Sequence, residues 1–179
     1  MKLIAFDLAT QTGIAIGDTE GRPVGQSENL GEAGKPHGIR FTYALRMATN
    51  LILEQQPDWI AIEEPIAGGV KGDENRLKML MGLRASIYIA AELRKIRVVE
   101  YPVQTIRKHF IGYGMLKSAD AKSRTIARCM RLGWNPANHN EADAMAVWDL
   151  ARARLTRSST LPANGLFDHG YPDCGARPT

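Results

Sequence analysis

Lys2-Leu3-Ile4-Ala5-Phe6-Asp7 is a short apolar run that closes on a carboxylate. A run of four to eight apolar residues bounded by turn composition reads as a buried strand. Thr10 to Gly13 supplies the turn, and Ile14-Ala15-Ile16-Gly17 reads as the returning strand of a hairpin. Asp18 to Arg22 is a second turn, and Pro23 to Asn29 a third, weaker strand. Gly31 to Gly38 has loop composition.

Helical spacing begins after that loop. Phe41, Leu45, Ala48 and Ile52 fall at i, i+4, i+7 and i+11, which predicts a helix over Ile39 to Gln56. Pro57 and Asp58 stop it, and Trp59-Ile60-Ala61-Ile62-Glu63 is a second buried strand that ends in acid. Pro65 and Gly68-Gly69 open a loop. Asn75 to Lys95 predicts a long helix with two apolar sides. One side carries Leu77, Leu80, Met81, Arg84, Tyr88 and Ala91, the other Met79, Leu83, Ile87 and Ala90. Such a helix lies between layers or forms a subunit contact. Arg97 to Tyr101 is a strand, 103–110 a short helix, Ser118 to Arg131 a basic helix, and Asn140 to about Arg154 the last helix. Three strands followed by alternating helices and strands predict an α/β layer fold with a mixed sheet and helices on its faces.

The chain has 179 residues, enough for one domain with a real core. Apolar residues make up 44% and charged residues 23%, which excludes disorder throughout. No run of 18 apolar residues exists, so no membrane span is expected. Asp7 interrupts what would be the apolar stretch of a signal peptide. Cys129 and Cys174 make neither a disulfide framework nor a zinc site, so a cytoplasmic protein is expected. From about Thr156 the composition turns to Ser, Thr, Pro, Gly and Asn, which predicts a domain over 1–155 and a flexible tail over 156–179. The net charge of +4 is unevenly spread. Residues 1–70 hold five Lys/Arg and nine Asp/Glu, whereas residues 71–157 hold seventeen and eight. A basic rear half points toward a polyanion partner.

Three carboxylates stand in apolar settings: Asp7 and Glu63 at strand ends, and Asp143 within Ala142-Asp143-Ala144-Met145-Ala146. A buried charge costs several kcal/mol unless it is paired or bound to metal. Each has a bland reading: Asp7 capping its turn, Glu63 pairing with a lysine, Asp143 joining a capping box with Asn140. Three together, from distant parts of the chain, fit a site for hard divalent cations such as Mg²⁺. Alternation along a strand sends Glu63 and Glu64 to opposite faces, so only one of them serves such a site.

In this order and spacing the pieces resemble the RNase H-like nuclease superfamily, and within it the RuvC-type Holliday-junction resolvases of a phage or prophage branch. The matching segments are Ile4-Ala5-Phe6-Asp7 with Thr12-Gly13-Ile14-Ala15, and Pro57-Asp58-Trp59-Ile60-Ala61-Ile62-Glu63. Leu80 to Glu92, Glu100-Tyr101, Gln104-Thr105-Ile106-Arg107-Lys108 and Lys117 to Arg124 follow. Asn135-Pro136 and Glu141-Ala142-Asp143-Ala144-Met145-Ala146 complete the set, which spans residue 1 to about 153. The resemblance implies an RNase H-like fold with a mixed five-stranded sheet, and a homodimer acting on branched DNA. It implies a crossover-junction endodeoxyribonuclease that resolves four-way junctions by paired phosphodiester hydrolysis. Asp7, Glu63 and Asp143 fall on the family's acids and would hold two Mg²⁺ ions, with Mn²⁺ able to substitute. Asp7 is the candidate for the bridging ligand.

The family's fourth ligand, three residues before the last acid, falls here on Asn140. His139 and Glu141 are the alternatives, and Glu141 is favoured for its chemistry. Arg107, Lys108, Lys117, Lys122 and Arg124 are the expected phosphate contacts. His109 and Tyr113 are either further contacts or packing residues, and the three tryptophans are expected in the core. Two departures stand out: Leu8-Ala9 replaces the usual Pro-Gly, and Ile66 stands near where an aromatic wedge often occurs. Alternatives to junction resolution are a nuclease of the same fold acting on other branched DNA or RNA, and a non-catalytic DNA-binding or packaging protein.

Overall fold

The computed structural model describes residues 1–31, 35–64 and 74–160, with only the backbone for 157–160. The expected elements are present in the expected order. They are β1 (Lys2–Asp7), β2 (Gln11–Asp18), β3 (Val24–Asn29), α1 (His37–Gln55), β4 (Trp59–Glu64) and α2 (Glu74–Glu92). β5 (Arg97–Pro102), α3 (Val103–Ile111), α4 (Ser118–Arg131) and α5 (His139–Thr160) follow. The strands form one five-stranded sheet in the order β3-β2-β1-β4-β5. β1, β2 and β3 pair antiparallel, while β1–β4 and β4–β5 pair parallel. This is the mixed α/β sheet predicted above.

Alternation divides the core in two. Leu3, Ala5 and Ala61 pack with Tyr101 against α3, α4 and α5 on one face. Ile4, Phe6, Ile60 and Ile62 pack against α1 and α2 on the other. Of the two apolar sides of α2, the one carrying Leu83, Ile87 and Ala90 is buried. On the other side Leu77, Met81 and Tyr88 are exposed, while Ala91 is buried. Gln56 caps α1 in the left-handed conformation, with its N–H donating to the Ile52 carbonyl at 2.9 Å, and Pro57 turns the chain into β4.

α5 continues through Thr160, beyond the expected boundary at 155. Leu155 still packs on the core, and the Thr156 hydroxyl donates to the Arg152 carbonyl, so helix and core continue into the polar composition. Residues 161–179 and Ile66 lie outside the described residues. Trp134 and Trp148 are buried as expected. Trp59 is only half-buried and lies under the Arg97 guanidinium, 5.3 Å from the ring centre.

Candidate active site

β1 and β4 run parallel with Phe6 opposite Ile62, so the next residues, Asp7 and Glu63, stand at the same level on adjacent strands. Both share the face of Ala5 and Ala61, which is the face covered by α5. Ligands of open α/β sheets collect beyond the carboxyl ends of parallel strands, and this pair ends there. Glu64, one residue on, alternates to the opposite face of β4, yet it too lines the cleft that holds Asp7 and Glu63.

α5 brings the third acid. Its first turn lies against β2 at Gly13, the residue paired with Asp7. A Cβ added at Gly13 would fall 1.9 Å from the Asn140 carbonyl oxygen, so only glycine permits that approach. One turn on, Asp143 reaches the two strand-end acids. Burial raises all three carboxyls: Asp7 from 3.8 to about 7, with Asp143 adding to the rise; Glu63 from 4.5 to about 8, with Asp7 and Asp143 adding; and Asp143 upward through desolvation. Lys122 of α4 and Arg107 of α3 oppose the shifts at Asp7 and Asp143, and Arg107 does so at Glu63. Among the described residues, none of the three carboxylates has a hydrogen bond or ion pair to a protein group. Three negative groups are therefore held together without close protein partners.

The donor set fits a hard dication: three half-buried carboxylates, each favouring its proton while no cation is present. Among the described residues, no group of three or more His, Cys, Asp or Glu side chains is already arranged to hold a metal ion. Like charges repel one another, and a dication between them reverses that interaction.

Glu141 does not join them. Its carboxylate accepts from the Ala137 N–H at 2.8 Å and from the Asn138 side-chain amide at 3.1 Å, and its own N–H donates to Asn138 Oδ1 at 3.0 Å. Asn138 and Glu141 thus form the capping pair of α5, at the spacing of a capping box. Glu141 is buried against Gly25 of β3. The carboxylate expected to serve as the fourth ligand is thus engaged by the Ala137 N–H and the Asn138 side chain, just before α5. His139, one turn before Asp143, faces that acid and lowers its pKa. His139 and Asn140 both line the cleft that contains Asp7 and Glu63.

The basic residues separate. Arg107 and Lys122 face the acids. Lys108 lines a separate recess with His109 and Arg154. Lys117 and Arg124 are exposed, and Arg124 lies 5.0 Å from the Tyr113 ring centre. His109 hydrogen-bonds Asp149 of α5 at 2.9 Å, a packing role. Sequence reading did not single out Thr10, Gln11, Arg76 and Met79, which line the acid cleft. Their only signal was position: two follow the first acid, and two begin the helix after the second.

No family model and no curated protein matches the chain. Solved structures do. Thermus thermophilus RuvC matches at 18% identity over 89% of this chain and 98% of that one, with a TM-score of 0.69. T. thermophilus RuvC in complex with a Holliday junction substrate matches at 18% identity over 89% and 97%, also with a TM-score of 0.69. The yeast mitochondrial Holliday junction resolvase Ydc2 matches at 10% identity over 87% and 80%, with a TM-score of 0.60. The chain therefore carries the RNase H-like fold in the form found in RuvC-type resolvases.

Proposed function

We propose that the protein is a Mg²⁺-dependent endodeoxyribonuclease that resolves four-way DNA junctions as a homodimer. The observation that carries this reading is the gathering of Asp7, Glu63 and Asp143 at one end of the sheet, with Arg107 and Lys122 beside them. Asp7, Glu63 and Asp143 would hold the metal, with His139 or Asn140 completing the shell. Bound there, Mg²⁺ would activate a water for attack and stabilise charge on the phosphate and leaving oxygen, and Mn²⁺ could do the same. Arg107 and Lys122 offset the charge of the acids and bind the phosphate oxygens on either side of the cut. The exposed side of α2, with Met81 and Ile89 about half exposed, is the surface we assign to the second subunit. Two active sites then face opposing strands of one junction. Among the described residues no helix is long and apolar enough to cross a membrane. We place the protein in the cytoplasm, together with its DNA.

The test is cleavage of labelled four-way junctions, plain duplex, flaps and RNA–DNA hybrid in Mg²⁺, by wild type and Asp7→Asn. The wild type should cut junctions preferentially. The variant should bind them in Ca²⁺ but cut at least about a hundredfold more slowly, since even outer-shell losses cost 10–100-fold. A second reading, a DNA-binding protein that does not cut, draws on the lack of a finished metal cage. Junction binding without cleavage by the wild type would select it. Equal cutting of duplex would leave a nuclease without junction selectivity.

A further inference from the structure

Lys108 follows Arg107 on α3, yet the two serve different places. Arg107 faces the acids, while Lys108 lines a recess of about 270 Å³ with Thr105, His109, Leu150, Ala153 and Arg154. Successive residues of a helix stand about 100° apart, so one short helix reaches both.

The recess is rich in donors: the Lys108 ammonium, the Arg154 guanidinium and the Thr105 hydroxyl. Among the described residues, neither Lys108 nor Arg154 belongs to an ion pair. The carboxylate that meets His109 is already engaged: Asp149 Oδ2 lies 2.9 Å from His109 Nε2, and Oδ1 accepts from Arg152 at 2.7 Å. Asp149 therefore leaves Lys108 and Arg154 uncompensated. Arg154 is also steadied over the Tyr101 ring, 5.4 Å from its centre. Donors with excess positive charge in a small recess suit an oxyanion such as a phosphate group.

Helix α5 ties this recess to the acids. It runs from β2, where the Asn140 carbonyl meets Gly13, toward β5, where Arg154 covers Tyr101. Tyr101 pairs with Glu63, so the recess lies one strand beyond the second acid. Arg154 comes eleven residues after Asp143. That is about three turns and 20°, so both leave α5 on nearly one side, roughly 16 Å apart along its axis. Nucleotides of one strand rise about 3.4 Å each, so that spacing corresponds to about five of them.

We propose that this recess seats one backbone phosphate of a junction arm, about five nucleotides from the phosphate at Asp7 and Glu63. The inference rests on the nuclease reading above and deepens it. A phosphate contact carries no base information; it fixes register and direction. Two seats on one strand orient the arm along α5, which a single seat at the acids cannot do.

Four-way junctions with one neutral methylphosphonate linkage test this. The linkage is moved stepwise away from the cut along each arm. Full-length wild type is titrated in Ca²⁺, so that nothing is cut, and anisotropy is read at several salt concentrations. A linkage about four to six nucleotides from the cut should weaken binding at least about threefold, and linkages farther out should not. The double variant Lys108→Ala with Arg154→Ala should bind the unmodified junction at least about threefold more weakly, lower the salt slope by about one, and ignore that linkage. Arg46→Ala, an exposed cation on α1 across the sheet, should leave the slope unchanged. The inference is overturned if no linkage beyond those flanking the cut matters. It is equally overturned if the double variant keeps the wild-type slope, stays as sensitive to the linkage as wild type, or loses no more slope than Arg46→Ala. Wild-type binding without cleavage would instead remove the nuclease reading and leave the seat, its distance then counted from the branch point. A wild type that binds no junction overturns both.

Discussion

At Asp7, Glu63 and Asp143 the cost of burying charge becomes a measurable pH dependence. Folding raises the pKa of Asp7 to about 7 and of Glu63 to about 8, above their ordinary 3.8 and 4.5, and raises Asp143 as well. Between those limits the folded chain binds more protons than the unfolded chain, so stability falls as pH rises. In EDTA the melting temperature should fall from pH 5 to pH 8, and Asp7→Asn should melt above wild type at pH 8. Added Mg²⁺ should raise the melting temperature more at pH 8 than at pH 6, and cleavage should increase over the same interval. A melting temperature that rises with pH in EDTA would mean the three acids are not buried together. Asp7 and Glu63 stood out in the sequence because each closes an apolar run, and Asp143 because it stands among Ala142, Ala144, Met145 and Ala146. Alternation left only one of Glu63 and Glu64 for the site, and the family resemblance selected Glu63. The role of Glu141 was not legible, since Asn138, His139, Asn140 and Glu141 offer several polar groups in one turn. Only the path of the backbone assigns one pair to the cap and turns the others toward the cleft.

At the scale of elements, the contact between β2 and the start of α5 sets the site. Gly13→Ala would drive a methyl into the Asn140 carbonyl, 1.9 Å away, so the helix must shift. Overpacking of this kind costs about 1–3 kcal/mol. Here the shift also carries Asp143 away from Asp7, so urea titration should show the stability loss while cleavage falls by at least tenfold. Glu141→Ala supplies the contrast. It removes the capping carboxylate, at a cost of about 1 kcal/mol, and should leave cleavage within about threefold. Sequence periodicity identified all ten elements because each apolar run or helical stripe is bounded by Gly, Pro or a polar turn. It did not show that α5 runs to Thr160, because Leu155 anchors a helix whose following residues are poor helix formers. Nor did it show the close approach at Gly13, which no local pattern records.

For the whole molecule, the dimer surface proposed on the exposed side of α2 would set how many strands are cut at once. Met81, Tyr88 and Ile89 leave an apolar strip on the helix surface, opposite the side that Leu83 and Ile87 bury. Such strips mark association surfaces. Met81→Glu combined with Ile89→Glu should convert a dimer to a monomer by light scattering. On a cruciform plasmid it should convert linear product into nicked circles. A wild type that is already monomeric would refute the paired-nick reading. The sequence signalled this surface through a helix apolar on two sides, but which side faces outward depends on the sheet. The late position of α5 also bears on synthesis. It covers β1 and β2, yet it follows every other described element, so a ribosome-bound fragment ending near residue 130 carries Asp7 and Glu63 and lacks Asp143. On the nuclease reading proposed above, such a fragment could not cut DNA, and cleavage would begin only once α5 had emerged and settled onto the sheet.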